Sequence, residues 1–151
     1  MTMPVTLEPS VRVPYRRRVA ARLSVAAARI LIRASPGRLR RVLTAAGRGA
    51  RPATEQEALT ARQAVISVSV QCAGQGCLQR SVATALLCRL TGCWPTWCTG
   101  VRMEPFRAHA WVEVSGRPIG ERDEIRFYSK VMTVPPSDGR RRRTDHGQEA
   151  Q

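Results

Sequence analysis

The chain has 151 residues, of which 43% are apolar and 5% aromatic. That length suits one domain and hardly two, with a modest core built mainly from Val, Leu, Ile and Ala. The formal charge is +14, almost all of it arginine with Lys130 as the sole lysine, and this argues against a preference for cationic partners. It points instead to nucleic acid, an anionic membrane or an acidic protein, or to simple compositional drift towards arginine.

Residues 1–13 carry no periodic pattern and read as a flexible arm. From Pro14 the pattern is helical: Val19, Leu23, Ala26, Ile30 and Leu31 form a stripe expected to pack on the domain, with arginines on the other faces. Ser35-Pro36-Gly37 breaks this helix, and a second short one continues through Leu39, Val42 and Leu43. The stretch 14–50 is thus a helical N-terminal region, closed by a linker over Gly47 to Pro52. Its apolar run from Val19 to Ile32 is cut by Arg22 and Arg29, far short of the roughly 20 residues a membrane span needs.

Thr54 with Glu57 has the spacing of a capping box and opens a helix through about Val70. After the glycine-rich loop "QCAGQGC", Leu78, Val82, Ala85, Leu86 and Leu90 recur at helical spacing, giving a helix over 77–90 with one buried face. "CWPTWCTGV" reads as a turn and short strand, and Arg102 to Ala108 as a loop. His109 to Val114 alternates as a strand, Ser115 to Arg117 turns, and Pro118 to Glu121 returns. Glu124 to Met132 reads as a short last helix, and 137–151, with Arg140 to Arg143, as a disordered basic tail.

Five cysteines (Cys72, Cys77, Cys88, Cys93, Cys98), without an export signal, suggest free thiols and a cytoplasmic setting. Cys77 stands apart because it opens a helix. The N–H groups and partial positive charge at a helix start favour a thiolate, lowering a thiol pKa from about 8.5 towards roughly 3.5–7.5 in favourable sites. The same N–H groups can hold an oxyanion, and Gln71, six residues earlier, could add a side-chain amide, although a loop glutamine is usually just solvated. A buried, inert Cys77 is the plainer alternative. Zinc is another, with Cys72/Cys77 and Cys93/Cys98 as loosely spaced pairs, but no closely spaced histidine joins them.

His109 is one of two histidines in the chain. On its strand, Ala110, Val112 and Val114 form an apolar face, so His109, Trp111 and Glu113 are expected on the opposite, more open one. If Ser115-Gly116-Arg117 is a three-residue hairpin loop, His109 stands opposite Asp123, with Glu121 diagonal on the same face. A two-residue loop shifts the return strand by one and turns both acids away. A site in which a carboxylate orients His109 therefore requires the longer turn.

A cysteine at a helix start, followed by a histidine and an acid on later antiparallel strands, is the order found in papain-like and transglutaminase-like enzymes. The blocks "CLQRS" and "GV…PFRAHAWVEV.G.P.GE", within a similarity spanning about residues 14–136, resemble the lasso-peptide B-type leader peptidases in their separate-chain form. The resemblance implies an α+β, transglutaminase-like cysteine protease core, here over 51–136. It also implies removal of the leader from a ribosomally made precursor, usually after a leader whose second-to-last residue is threonine. The precursor's leader and core are then the substrate, a separate leader-binding protein and an ATP-dependent macrolactam cyclase the partners, and no cofactor or metal is called for. Carried over by motif, Cys77 is the nucleophile, His109 the general base and acid, and Glu121 the acid at a place usually held by aspartate, with Asp123 as the alternative. The Cys77 backbone N–H is the expected oxyanion donor. A basic nucleic-acid-binding protein and an amide-transferring enzyme on the same fold are the competing readings.

Overall fold

The computed structural model of the chain describes residues 12–137. The expected arm, apart from Arg12 and Val13, and the basic tail beyond Ser137 lie outside the described residues. Helices α1 (Tyr15–Leu31) and α2 (Pro36–Gly47) come first, broken at Ser35-Pro36 as the sequence indicates. They are followed by β1 (Arg51–Pro52), α3 (Glu55–Val68), a single-turn α4 (Val70–Ala73) and α5 (Cys77–Leu90). The remainder is β2 (Cys93–Trp94), β3 (Thr96–Met103), β4 (Phe106–Val114), β5 (Arg117–Pro118), a 3-10 helix (Asp123–Phe127) and β6 (Ser129–Val134). The α+β class is therefore as expected: helices packed on an antiparallel sheet ordered β5-β4-β3-β6, with β1 and β2 as a small parallel pair.

Local chemistry explains most boundaries. Thr54 Oγ1 accepts from the Glu57 N–H and Glu57 answers to the Thr54 N–H, so α3 starts on a complete capping box. Pro36 occupies the first turn of α2, where a missing N–H costs nothing. Ser69 ends α3 and caps α4 by accepting from the Cys72 N–H at 3.3 Å.

The centre of the molecule is α5, with buried residues on every side: Gln79, Arg80, Ser81, Val82, Ala83, Thr84, Ala85, Leu87 and Cys88. The expectation of one buried face is corrected here. Leu90 is 65% exposed, while small residues around the helix let α1, α3 and β4 approach together. Two of its buried side chains bond to neighbouring elements: Gln79 Nε2 donates to the Val25 carbonyl at 3.3 Å, and Ser81 accepts from the Trp97 indole at 3.0 Å. The three tryptophans, Trp94, Trp97 and Trp111, are each at most 2% exposed, so a core expected to be mainly aliphatic also carries large aromatic anchors.

The first helix also packs differently from its sequence stripe. Its buried residues are Ala21, Ser24 and Ala28, whereas Leu23 is 64% and Ile30 70% exposed. Close packing against α5 and α3 selects the small side chains, because an alanine surface lets helix axes approach and a leucine surface does not. Ala21, Ala28, Leu39 and Leu43 belong to the same core as Val82 and Val112, which ties the N-terminal helices to the rest.

Two strand expectations change. The expected loop over Arg102 to Ala108 shrinks to Glu104-Pro105, because β3 and β4 pair from Thr96↔Glu113 to Met103↔Phe106. The expected last helix is a short 3-10 turn followed by strand β6, which pairs with β3 and supplies that sheet edge. Lys130-Val131-Met132-Thr133-Val134 is rich in β-branched residues, and the open edge of β3 decides the contest.

Candidate active site

Cys77 is the first residue of α5 and is only partly covered, whereas Cys72, Cys88, Cys93 and Cys98 are buried; all five are free thiols. The loop before it is wound tightly. The Gly76 N–H donates to the Gln71 carbonyl at 3.0 Å, and a β-carbon at Gly76 would stand 2.6 Å from that oxygen, so only glycine fits. The Cys77 N–H is itself hydrogen-bonded to the Gln75 carbonyl at 2.9 Å, so as an oxyanion donor it must first leave that bond. Gln71 is exposed on α4, with its backbone against Gly76.

His109 lies on β4 opposite Gly100, where α5 crosses the sheet. Its Nε2 is 2.7 Å from Oε2 of Glu121. The ring stacks on Trp111 at a centroid distance of 5.9 Å and 14° between planes, and leans on Tyr128 at 5.6 Å. The ring also interacts with the Cys77 sulfur, and Nε2 is engaged by Glu121. Trp111 and Glu113 are 2% and 4% exposed, so the face expected to be open is largely covered. Trp111 donates to Glu113 at 2.9 Å and Lys130 to the same carboxylate at 2.7 Å, which satisfies the buried acid.

The acid reaches His109 by an unexpected route. The hairpin has the two-residue turn, with Val114 paired to Arg117 and Glu113 to Pro118. Ser115 and Gly116 both take positive φ, 51° and 78°, which matches the twist of a two-residue hairpin. Regular pairing beyond this point would carry Glu121 to the wrong face. The ladder stops at Pro118 and the Ile119 N–H, however, and Gly120, at φ +64°, turns the chain back to the histidine. A side chain at Gly120 would also collide with Arg62, 2.9 Å from its Nε. The longer turn is thus not required for a carboxylate to meet His109. Asp123 is exposed at the start of the 3-10 helix, and the acid on His109 is Glu121.

Two arginines that the sequence reading did not single out stand behind this acid. Arg62 of α3 and Arg80 of α5 approach Glu121 Oε1 at 3.7 and 3.8 Å, and each is less than 10% exposed. A signal existed for Arg62: it interrupts the otherwise small and apolar buried set Ala58, Ala61, Ala64 and Val65 on α3. Charges seldom occupy such a place without a partner.

Burial pushes the Cys77 thiol up, but the His109 ring, the Ala110 backbone N–H and the charges of His109 and Arg80 outweigh it and leave it below the ordinary thiol value. Burial lowers His109, yet its bonds to Cys77 and Glu121 prevail and raise it to about 9. Both shifts favour the thiolate–imidazolium form of the pair. Burial raises the other shifted thiols, Cys72, Cys88 and Cys98, the last to about 12, so they stay protonated and inert. Among the described residues no three His, Cys, Asp or Glu side chains gather as a metal site, and no helix is long and apolar enough to cross a membrane.

The arrangement can deliver a thiolate to a carbonyl carbon and a proton to a leaving group. A family model described as the transglutaminase-like superfamily matches residues 21–133. No curated protein and no solved structure matches the chain significantly.

Proposed function

The chain belongs to the transglutaminase-like superfamily, and on that premise we propose that it is a cysteine peptidase that removes the leader from a ribosomally made lasso-peptide precursor. The observation that carries the chemistry is the convergence of a low-pKa thiol, an imidazolium and a carboxylate from α5, β4 and the β5–3-10 loop. The Cys77 thiolate attacks the scissile carbonyl carbon and forms a tetrahedral oxyanion. As that intermediate collapses, the C–N bond breaks and His109 gives its proton to the departing core-peptide amine. Neutral His109 then takes a proton from water, whose oxygen attacks the thioester and frees the leader carboxylate and the thiolate. Glu121 keeps the imidazole oriented and compensates its charge. Leu78 and Gln79 N–H groups at the helix start, with the Cys77 N–H once released from Gln75, are the candidate oxyanion donors, and the Gln71 amide is a weaker one.

The leader-specific part of the reading rests on the resemblance of the "CLQRS" and "PFRAHAWVEV" blocks. A separate leader-binding protein is its expected partner, and the exposed side of α1 supports a docking surface for it. Tyr15, Val19, Leu23 and Ile30 form an uncovered apolar stripe there, and Arg18, Arg22 and Arg29 run along one flank. The ATP-dependent cyclase would act next, on the freed amine, in the cytoplasm. An amide-transferring enzyme remains the second reading, because the same thioester accepts an amine in place of water.

Mass spectrometry of a cognate precursor, incubated with the chain and its leader-binding partner, tests the proposal. Wild type should give a single cut at the leader–core junction, and Cys77→Ala and His109→Ala should each lower the rate at least about 10³-fold. Cutting that survives Cys77→Ala sinks the assignment of the nucleophile. An amide product in place of a free carboxylate favours the transfer reading. No cut with the partner bound to the leader favours nucleic acid as the partner of this chain of +14 charge.

A further inference from the structure

Arg80 lies one turn beyond Cys77 on α5 and is 7% exposed. A guanidinium stays charged at any pH a protein meets, so its burial needs matched partners. It has them on two sides. One terminal nitrogen donates to the Cys72 carbonyl at 3.0 Å and lies 3.3 Å from the Gly74 carbonyl. The other stands 3.8 Å from Glu121 Oε1. A single planar fork thus spans the loop that leads into the nucleophile and the acid that holds the histidine, two pieces more than forty residues apart in the chain. Glu121 divides its oxygens accordingly: Oε1 faces Arg62 and Arg80, and Oε2 is left for His109.

We propose that Arg80 is a positioning residue of this site, fixing the Cys72–Gly74 loop, and with it the Cys77 sulfur, in register with the Glu121–His109 pair. The inference rests on the Cys77–His109–Glu121 reading above. It requires the fork as well as the charge. A lysine ammonium is a point donor that cannot hold two carbonyls and face a carboxylate in one fixed plane. The charged groups facing the thiol and its partners are His109 from β4, Arg80 from α5, Arg62 from α3 and Glu121 from the loop after β5.

The test needs no substrate. Iodoacetamide labelling of Cys77 in the full chain, mapped by mass and followed against pH, reports the thiolate, and amide hydrogen exchange at Gly74 and Gly76 reports the loop. Arg80→Met should move the labelling midpoint up, which lowers labelling several-fold at pH values below it, and should speed exchange at both glycines. Arg80→Lys should restore most of the midpoint but not the exchange protection. Folding is checked by circular dichroism. A wild-type midpoint with wild-type exchange in folded Arg80→Met overturns the proposal. If that variant does not fold, wild-type exchange in Arg80→Lys overturns it. A wild-type midpoint that His109→Ala leaves in place would instead remove the thiol–imidazole reading, and this inference with it.

Discussion

Helices α1 and α5 invert each other. On α1, Leu23 and Ile30 face solvent while Ala21, Ser24 and Ala28 are buried. On α5, Arg80 and Gln79 are buried while Leu90 is exposed. Residue hydrophobicity alone misplaces Leu23, Ile30 and Leu90 on one side and Ser24, Gln79 and Arg80 on the other. The α1 contact is decided by how closely two helix axes can approach, and that favours small side chains over large ones. The start of α5 is decided by a site that needs charge in a dry place, where Arg80 is matched by Glu121 and by loop carbonyls. Stability is concentrated in the first kind of contact and chemistry in the second, so substitutions in the two regions should fail differently.

The largest effect should come from the charged region without loss of fold. Glu121→Gln keeps shape and removes charge, and it should lower kcat by about 10²- to 10⁴-fold because His109 loses the partner that orients its ring. Asp123→Asn, on an exposed acid two residues away, should leave kcat unchanged. Equal losses in the two variants, with steady-state kinetics as the readout, would mean that the orienting acid is misassigned.

Effects of intermediate size should come from α1 and appear in stability. Ala28→Leu forces a large side chain into the α1 contact, where Ala28 is fully buried, and should cost about 1–3 kcal/mol in urea denaturation. Leu23→Ser, on the exposed stripe, should change stability by less than about 0.5 kcal/mol. If the serine variant proves the more damaging, the orientation assigned to α1 is wrong.

The smallest effect is a pH dependence in which two ionisations oppose. His109, raised from 6.5 to about 9, contributes stability that is fully present below 6.5 and lost as pH rises through about 9. Cys77, lowered from 9.0, contributes stability that is present above 9.0 and lost as pH falls through its folded value. Between these limits the two contributions slope in opposite senses, so in wild type they offset one another in Tm against pH. In Cys77→Ala the thiol contribution is gone and Glu121 alone is left to hold His109 up, so Tm relative to wild type should fall as pH rises above 6.5. Parallel curves for the two proteins would count against the ion pair.

Much of this molecule was determined by the sequence acting locally. Thr54 and Glu57 mark the start of α3, Ser35-Pro36 parts α1 from α2, and Cys77 to Leu90 is helical at the stated ends. Each is set by neighbours within a turn, where capping, propensity and periodicity operate. Cys77 and His109 were legible as chemistry because a thiol at a helix start and a histidine heading an alternating strand are local patterns as well.

Tertiary structure alone decided what lies on the far side of those residues. Local turn chemistry gives a two-residue hairpin, and Glu121 meets His109 only because the chain leaves the ladder after Ile119 and bends at Gly120 over Arg62. Arg62 and Arg80 come to one carboxylate oxygen from separate helices, and the residues of β6 become a strand because β3 offers an open edge. These outcomes depend on pairings between distant segments. Their energy comes from burial and electrostatic matching in the assembled fold, which the periodicity of a single segment does not encode.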